Sequence, residues 1–213
     1  MNQFERLELL IKDKIYDIYN KKVLVIGLSG VGSYAVEALI RSGIENITIV
    51  DSDTISITNL NRQLMTYQGN IGMYKTDEIE KRILSINPKC KINKITKFIT
   101  LDNINEIFIN DFDYIVDACD TISVKLELIR ISKKKDIKLI SCMGTGNKMD
   151  PTRLKIMDIR KTSYDPIAKK IRKMVKDEKI KGKVMVVCSD EEAYTKVTKE
   201  IPSNSFVPAT AGL

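Results

Sequence analysis

The sequence contains no histidine. That absence removes the commonest metal ligand and the side chain that most often serves as a general base at neutral pH. Any chemistry must therefore depend on carboxylates, lysine, arginine, cysteine or a bound metal ion.

Cysteine is scarce, and no two of the four cysteines form a Cys-x-x-Cys pair. A four-cysteine zinc site normally needs such close pairs, so the spacing disfavours structural zinc. Most of these thiols are expected to be small buried side chains: Cys90, Cys119, Cys142 and Cys188.

Long apolar runs are also missing, since no stretch reaches the roughly 18 residues of a membrane-spanning helix. The N-terminus, MNQFERLELLIKDK, is too charged for a secretory signal, so we expect a cytoplasmic protein without membrane contact. With 213 residues, 43% of them hydrophobic, the chain has enough apolar material for one sizeable α/β domain.

The most informative stretch, residues 22–53, reads as strand, glycine-rich turn, helix, strand and acid. The two apolar runs, 23–26 and 47–50, flank a segment with helical spacing, and the second run ends at Asp51. Such a turn brings backbone amides close to phosphate oxygens, while the acid can accept hydrogen bonds from ribose hydroxyls. The glycines of the turn are Gly27, Gly30 and Gly32.

The turn departs from the strict dinucleotide fingerprint, which has glycine at its first, third and sixth positions. Those positions are Gly27, Ser29 and Gly32, so Ser29 breaks the pattern and crowds the turn slightly. A turn that binds nothing is therefore an alternative to a nucleotide pocket, and residues downstream must decide the ligand.

Strands and helices alternate along the rest of the chain, which predicts a doubly wound, mainly parallel sheet with helices on both faces, a Rossmann-like α/β fold. An amphipathic helical segment is expected within residues 3–19 and a loop over 54–72. Further helices are predicted at 75–86, 102–108 and 124–133, and strands at 90–95, 113–119, 137–143 and 154–158. We expect a nucleotide-binding part over 1–159 and a basic extension of the same domain over 160–213.

Charged residues follow the strands at the edge where ligands bind such sheets. Arg62 and Lys75 lie at either end of the loop after the second strand, and Asp117 and Asp120 follow the strand over 113–119. A triphosphate with Mg²⁺ suits two cations and a carboxylate better than a dinucleotide does. This constellation favours ATP, with Asp120 holding the metal.

The basic extension contains the segment RKTSYDPIAKKIRKMVKDEKIKGK, in which lysine and arginine far outnumber acids. Apolar residues at helical spacing predict a packed helix face, which leaves the lysines on the other side. That side is either an ordinary solvated surface or an electrostatic binding surface for nucleic-acid phosphates.

Four segments, GLSGVGS, DSDTISITNLNRQ, GMYK and DACDTISVK, resemble in order and spacing the E1-like adenylating enzymes, which include activators of ubiquitin and of sulfur-carrier proteins. The resemblance implies that the glycine turn holds ATP, that Asp51 holds the ribose and that Asp120 binds magnesium. It further implies phosphate or nucleotide contacts from Asn59, Arg62 and Lys75. Three neighbours complete the candidate set: Asp53, Gln63 and Asp117.

Arg6 matches an arginine that, in relatives, crosses a dimer interface to a neighbour's ATP, which implies a homodimer. Within the family, residues 143–173 and the basic helix resemble the branch that dehydrates threonylcarbamoyladenosine in tRNA. That branch implies adenylation of the modification's carboxylate, ring closure, and release of AMP and pyrophosphate. The chain ends where relatives begin a further helix, so we expect it to be truncated.

The sequence is also compatible with other functions. The first alternative is adenylation of the C-terminal glycine of a ubiquitin-like sulfur carrier; an NAD-dependent oxidoreductase and a non-catalytic tRNA-binding protein are the others. Because related activators carry acyl or persulfide groups on cysteine, Cys188 is either a carrier or, as we favour, a structural thiol. The resemblance also leaves room for a sulfur-transfer or cysteine-desulfurase-type partner.

Overall fold

A computed structural model, which describes residues 2–196 and 200–213, has the α/β architecture that the sequence predicts. Seven strands form one sheet in the order β3-β2-β1-β4-β5-β7-β6. Their bounds are Lys22–Ile26 (β1), Asn46–Val50 (β2), Lys91–Ile95 (β3), Tyr114–Asp117 (β4), Lys138–Cys142 (β5), Leu154–Asp158 (β6) and Met185–Ser189 (β7).

The sheet is mainly parallel. Each neighbouring pair from β3 to β7 runs in the same direction, and β6 joins the edge antiparallel to β7. The order reverses at β1, which has β2 on one side and β4 on the other. Connections leave the sheet in opposite directions at that point, so a crevice opens beyond the carboxyl ends of β1, β2 and β4.

Helices cover both faces of the sheet, as predicted. One face carries α3 and α4, whose apolar side chains pack on β1 and β2. The other carries α5, α6 and α7, packed on β1, β4 and β7. The helix bounds are Glu5–Ile11 (α1), Lys14–Tyr19 (α2), Gly32–Arg41 (α3), Lys75–Ile86 (α4), Ile104–Ile107 (α5), Ile122–Lys135 (α6), Pro166–Asp177 (α7) and Phe206–Gly212 (α8).

The N-terminal helical segment is broken into two helices. Lys12 ends α1 with a φ of 54°, in the left-handed region, and its amide donates to the Glu8 carbonyl. A helix cannot continue through such a residue, so the chain restarts as α2 and changes direction. Spacing of apolar residues alone did not reveal this break.

The segment over 160–213 is built into the sheet. Its strand β7 lies between β5 and β6, while α7 buries Ala168, Ile171 and Val175 against α6 and β7. At the other end of the segment, Gly212 of α8 lies directly against Val31 at the start of α3. In the parts of the chain described, no helix is both long enough and apolar enough to cross a bilayer.

Candidate functional site

A cleft of two joined chambers opens at the crevice beyond β1, β2 and β4. The first chamber, of about 150 Å³, is lined by Gly27, Asp51 and Asp53. The second, of about 350 Å³, is lined by Gly30 and Arg62 together with residues 142–146. Four residues line both chambers and form the passage between them: Ser29, Ala118, Cys119 and Asp120.

The glycine turn forms one wall of the cleft. Its backbone packs so closely against the loop after β4 that a side chain would not fit at Gly27. Gly27 has a φ of 87°, and a Cβ there would lie 2.5 Å from the Ala118 carbonyl oxygen of the loop after β4. Helix α3 begins at Gly32, so its first amides and the positive end of its dipole lie beside the turn. Such a helix start attracts phosphate.

Asp51 is held in place at the end of β2. Its Oδ2 accepts a hydrogen bond from the Leu28 amide at 2.7 Å, and its Oδ1 accepts one from the Asp53 amide at 2.9 Å. Each carboxylate oxygen can accept more than one hydrogen bond, so both retain capacity toward the chamber that they line. This geometry suits an acceptor for ribose hydroxyls.

Lys75 is a buried cation that connects the second-strand loop to the glycine turn. Its Nζ lies 2.6 Å from Oδ2 of Asp53 and 3.2 Å from Oγ of Ser29. Because Ser29 accepts this hydrogen bond, its own hydroxyl hydrogen is left to donate into the passage. The serine that breaks the fingerprint thus orients a lysine at the turn.

Arg62 lines the second chamber, and its Nη1 donates to the Thr58 carbonyl at 2.7 Å and to Oδ1 of Asn61 at 3.0 Å. Asn59 and Gln63 are buried and are not among the residues that border the cleft in the described structure. The Asn59 carbonyl accepts the Arg62 amide at 3.1 Å, so Asn59 supports the arginine's backbone.

The two acids after β4 have different surroundings. Asp120 is exposed in the passage, whereas Asp117 is fully buried beneath it and does not border the cleft. The Asp117 carboxylate pairs with Nζ of Lys125 at 3.2 Å, and Lys125 also donates to the Cys142 carbonyl at 2.7 Å. Burial alone would lower the pKa of Lys125, but the Asp117 carboxylate together with the neighbouring Cys119 and Cys142 outweighs it and the pKa is raised. The expectation that Asp117 contacts the nucleotide is therefore not met, because its carboxylate is buried in the pair with Lys125.

Arg6 lies on the exposed face of α1 and borders neither chamber of its own chain. Other cleft residues carried no motif in the sequence. Lys97 and Phe98, in the loop after β3, line the first chamber, where Phe98 is 61% exposed. Ile201 and Pro208 close the second. For Lys97 and Phe98, the position just after a strand is the sequence signal that could have identified them as cleft residues.

The cysteines are poorly suited to nucleophilic roles. Burial raises the pKa of Cys142 and of Cys188 to about 12, and Cys188 lies in the core beneath α7. Cys119 borders the cleft, but burial and the nearby Asp117 charge raise the pKa of its thiol well above the usual range. The buried position of Cys188 agrees with a structural thiol.

The arrangement can neutralise and orient a polyphosphate. It combines a glycine turn, a helix start and Arg62 with the exposed carboxylate of Asp120, and the second chamber continues past that point. Lys75 borders neither chamber; it is buried, pairs with Asp53 and reaches the turn through Ser29. In residues 2–196 and 200–213, no cluster of three or more cysteine or acidic side chains is arranged to hold a metal. Mg²⁺ needs no such cluster, because it commonly takes one or two carboxylates plus phosphate and water ligands.

Known proteins resemble this chain in both sequence and structure. The ThiF family model matches residues 2–202. The tRNA threonylcarbamoyladenosine dehydratase of Bacillus subtilis is 43% identical, covering 100% of this chain and 91% of that protein. Its Escherichia coli namesake is 37% identical over 78% of this chain and 64% of its own length. The crystal structure of the E. coli enzyme with AMP superimposes with a TM-score of 0.92 at 33% identity, covering 99% of this chain and 89% of that one.

Proposed function

The chain belongs to the ThiF family, and we propose that it is an ATP-dependent tRNA threonylcarbamoyladenosine dehydratase. The observation that carries the proposal is the joined cleft, in which Arg62 and Asp120 meet the glycine turn at the edge of the sheet. Similarity to dehydratases along the whole chain, and to an enzyme crystallised with AMP and with ATP, supports the same activity.

The residues fit ATP in a definite order. The first chamber suits the nucleoside, with Asp51 toward the ribose and Phe98 beside the base. The phosphates then lie along the glycine turn, near Lys75 and Arg62. Arginine presents a planar fork of donors and lysine a compact charge, and both favour phosphate oxygens. The second chamber is left for the group that receives the adenylate.

Asp120 is the residue that would hold Mg²⁺. Its carboxylate is exposed in the passage between the chambers, where the α-phosphate would lie. A bound Mg²⁺ would offset the negative charge of the phosphates, which otherwise repels an incoming carboxylate. We propose that Arg62 and Lys75 contribute to the same charge balance without forming a covalent bond.

In the proposed reaction, the carboxylate of threonylcarbamoyladenosine at position 37 attacks the α-phosphorus of ATP. A carboxyl–phosphate anhydride forms, and the bond to pyrophosphate breaks. A neighbouring atom of the same modification then attacks the activated carbonyl, the modification gives up one proton to solvent, and AMP leaves with one carboxyl oxygen. Intramolecular attack of this kind can contribute roughly 7–11 kcal/mol, so no enzyme nucleophile is needed. A chain without histidine and with high-pKa thiols is compatible with this scheme.

The test is product formation with two forms of the same tRNA. We expect AMP and pyrophosphate release with threonylcarbamoylated tRNA and none above background with the unmodified transcript. Exchange of pyrophosphate that instead requires a ubiquitin-like carrier protein would favour the alternative adenylation function. Thermal stabilisation by NAD without Mg²⁺, exceeding that by Mg-ATP, would contradict ATP-dependent adenylation altogether.

We also propose that the enzyme is a homodimer in which Arg6 acts on the partner's ATP. Leu9 and Leu10, on the same helix as Arg6, are each 78% exposed. Nearby, α2 borders an apolar hollow of about 980 Å³ that reaches Tyr114 and Ile140 on the sheet. Two exposed leucines beside an apolar hollow are features of a face that a protein partner covers, and a second copy would bring Arg6 with it.

Mixing two inactive variants tests this arrangement. Arg6→Ala and Asp120→Asn homodimers should each be inactive, but an equal mixture should recover about one quarter of wild-type activity, because half of the dimers are mixed and each has one complete site. Size-exclusion chromatography with light scattering gives the oligomeric state in parallel. No recovery despite subunit exchange would place Arg6 outside the partner's site.

A further inference from the structure

Tyr164 has a strained backbone although its side chain is exposed. Its φ is 58°, and the Asp165 amide donates to the Ser163 carbonyl at 2.6 Å, which closes a three-residue turn around it. This form of turn is rare, and a bulky residue at positive φ is an outlier. The ring is 62% exposed, so burial does not compensate for the strain. Strained residues of this kind cluster at functional sites.

The strained turn stands at the rim of the cleft. Asp165, the next residue, is buried; its Oδ1 accepts the Ala168 amide at 2.6 Å and caps α7, and its carboxylate lies against Gly144. Gly144 and Ile167 both line the second chamber. The backbone of Tyr164 is therefore next to Asp165, which contacts the chamber wall, and α7 begins at the chamber that would receive the acceptor group.

The exposed face of α7 carries lysines, and Asp177 at the end of the helix is the acidic residue on it. Lys169, Lys173 and Lys176 are spaced so that they share this face, and all are exposed. None of them forms an ion pair in the described structure, whereas Arg153 and Lys155 nearby share Asp190. Like charges four residues apart destabilise a helix, so the pairing of Lys169 with Lys173 on one face does not itself stabilise α7.

We propose that Tyr164 and this lysine face form the surface that holds the RNA substrate. The ring stacks on an unpaired base near the modified nucleotide, and the lysines contact backbone phosphates on the way to the cleft. The proposal rests on the proposed function and specifies how its substrate is bound.

The chemistry of the surface favours RNA over a membrane. Exposed aromatics beside lysines are suited to single-stranded loops, where bases are free to stack and phosphates are close by. A membrane-binding helix would instead present its apolar side, but α7 buries Ala168, Ile171 and Val175 in the core. From Lys169 to Lys176 the face extends about 10 Å along the axis, enough for more than one phosphate.

The first experiment measures binding of threonylcarbamoylated tRNA at several salt concentrations. Lys169→Glu, Lys173→Glu and Lys176→Glu together should weaken binding at least about tenfold and reduce the slope of log affinity against log salt by about 2 to 3. The matched control changes three exposed lysines at or just before the amino ends of β1 and β3, Lys22→Glu, Lys89→Glu and Lys91→Glu, with the same change of net charge. The control should keep nearly wild-type affinity.

The second experiment separates stacking from charge. Tyr164→Ala should weaken binding roughly tenfold with an unchanged salt slope, while Tyr164→Phe keeps the affinity because the ring remains. Tyr164→Gly should raise the melting temperature, since glycine adopts positive φ freely, and still bind RNA weakly. Thermal stabilisation by Mg-ATP verifies that each variant is folded.

The outcomes distinguish two failures. If wild-type protein binds and processes modified tRNA but the α7 and Tyr164 variants match it, this surface is wrong and the proposed function stands. Equal losses in the α7 variant and its control would likewise overturn the surface, because only net charge would then matter. If wild-type protein neither binds modified tRNA nor forms AMP with it, the proposed function itself fails.

Discussion

Asp120→Asn is expected to lower the rate of AMP formation by about 10²–10³-fold, the loss typical of removing one preorganised charge-stabilising group. The amide keeps the shape of the side chain but loses the negative charge that would hold Mg²⁺ against the phosphates. Asp120 is exposed and makes no hydrogen bond or ion pair in the described part of the chain, so folding should change by less than about 0.5 kcal/mol.

The measurement compares AMP formation at saturating ATP, thermal unfolding, and the stabilisation that Mg-ATP provides. Asp111→Asn is the matched control, because Asp111 is an exposed aspartate that precedes β4 at the opposite edge of the sheet. It should react at the wild-type rate. An Asp120→Asn enzyme with normal turnover and normal dependence on Mg²⁺ would remove Asp120 from the proposed site.

The second large effect concerns stability. Lys125→Met is expected to lower the free energy of unfolding by about 3–5 kcal/mol, because it leaves the Asp117 carboxylate buried without a counter-charge. The ammonium is 1% exposed and the carboxylate 0%, so water cannot replace the missing partner. Urea denaturation followed by circular dichroism gives the change, and the melting temperature should fall by about 2–4 °C per kcal/mol.

Two controls make this prediction specific to the buried pair. Lys97→Met breaks an ion pair with Glu106 in which the side chains are 51% and 62% exposed, and it should cost less than about 1 kcal/mol. Combining Lys125→Met with Asp117→Leu removes both charges and should be less damaging than Lys125→Met alone. A double variant as unstable as the sum of its single variants would show that the two side chains do not depend on each other.

The spacing of apolar residues along the chain was sufficient to predict individual strands and helices. The run of β-branched residues before Gly27 predicted β1, and Asp51 was correctly placed at the end of β2. Alternation of strands and helices predicted the doubly wound sheet, since each amphipathic element has only one face to bury. Helix α4 was predicted with its observed bounds because its start follows a turn and its end precedes Asn87-Pro88.

The spacing of residues along the chain could not predict contacts between segments that are distant in sequence. Asp117 and Asp120 look equivalent in sequence, yet Asp117 is the last residue of β4 and turns inward to Lys125, while Asp120 lies in the open loop. Phe98 reached the cleft because β3 lies beside β2.

The sequence by itself determined the order of the strands and helices, the glycine turn, and the charges available for phosphate binding, because these follow from local spacing and residue type. Only the tertiary structure decided which of those charges face the cleft and which are buried in pairs. The reason is that parallel strands bring together residues far apart in the chain, and no local period records which side of a loop will meet its neighbour.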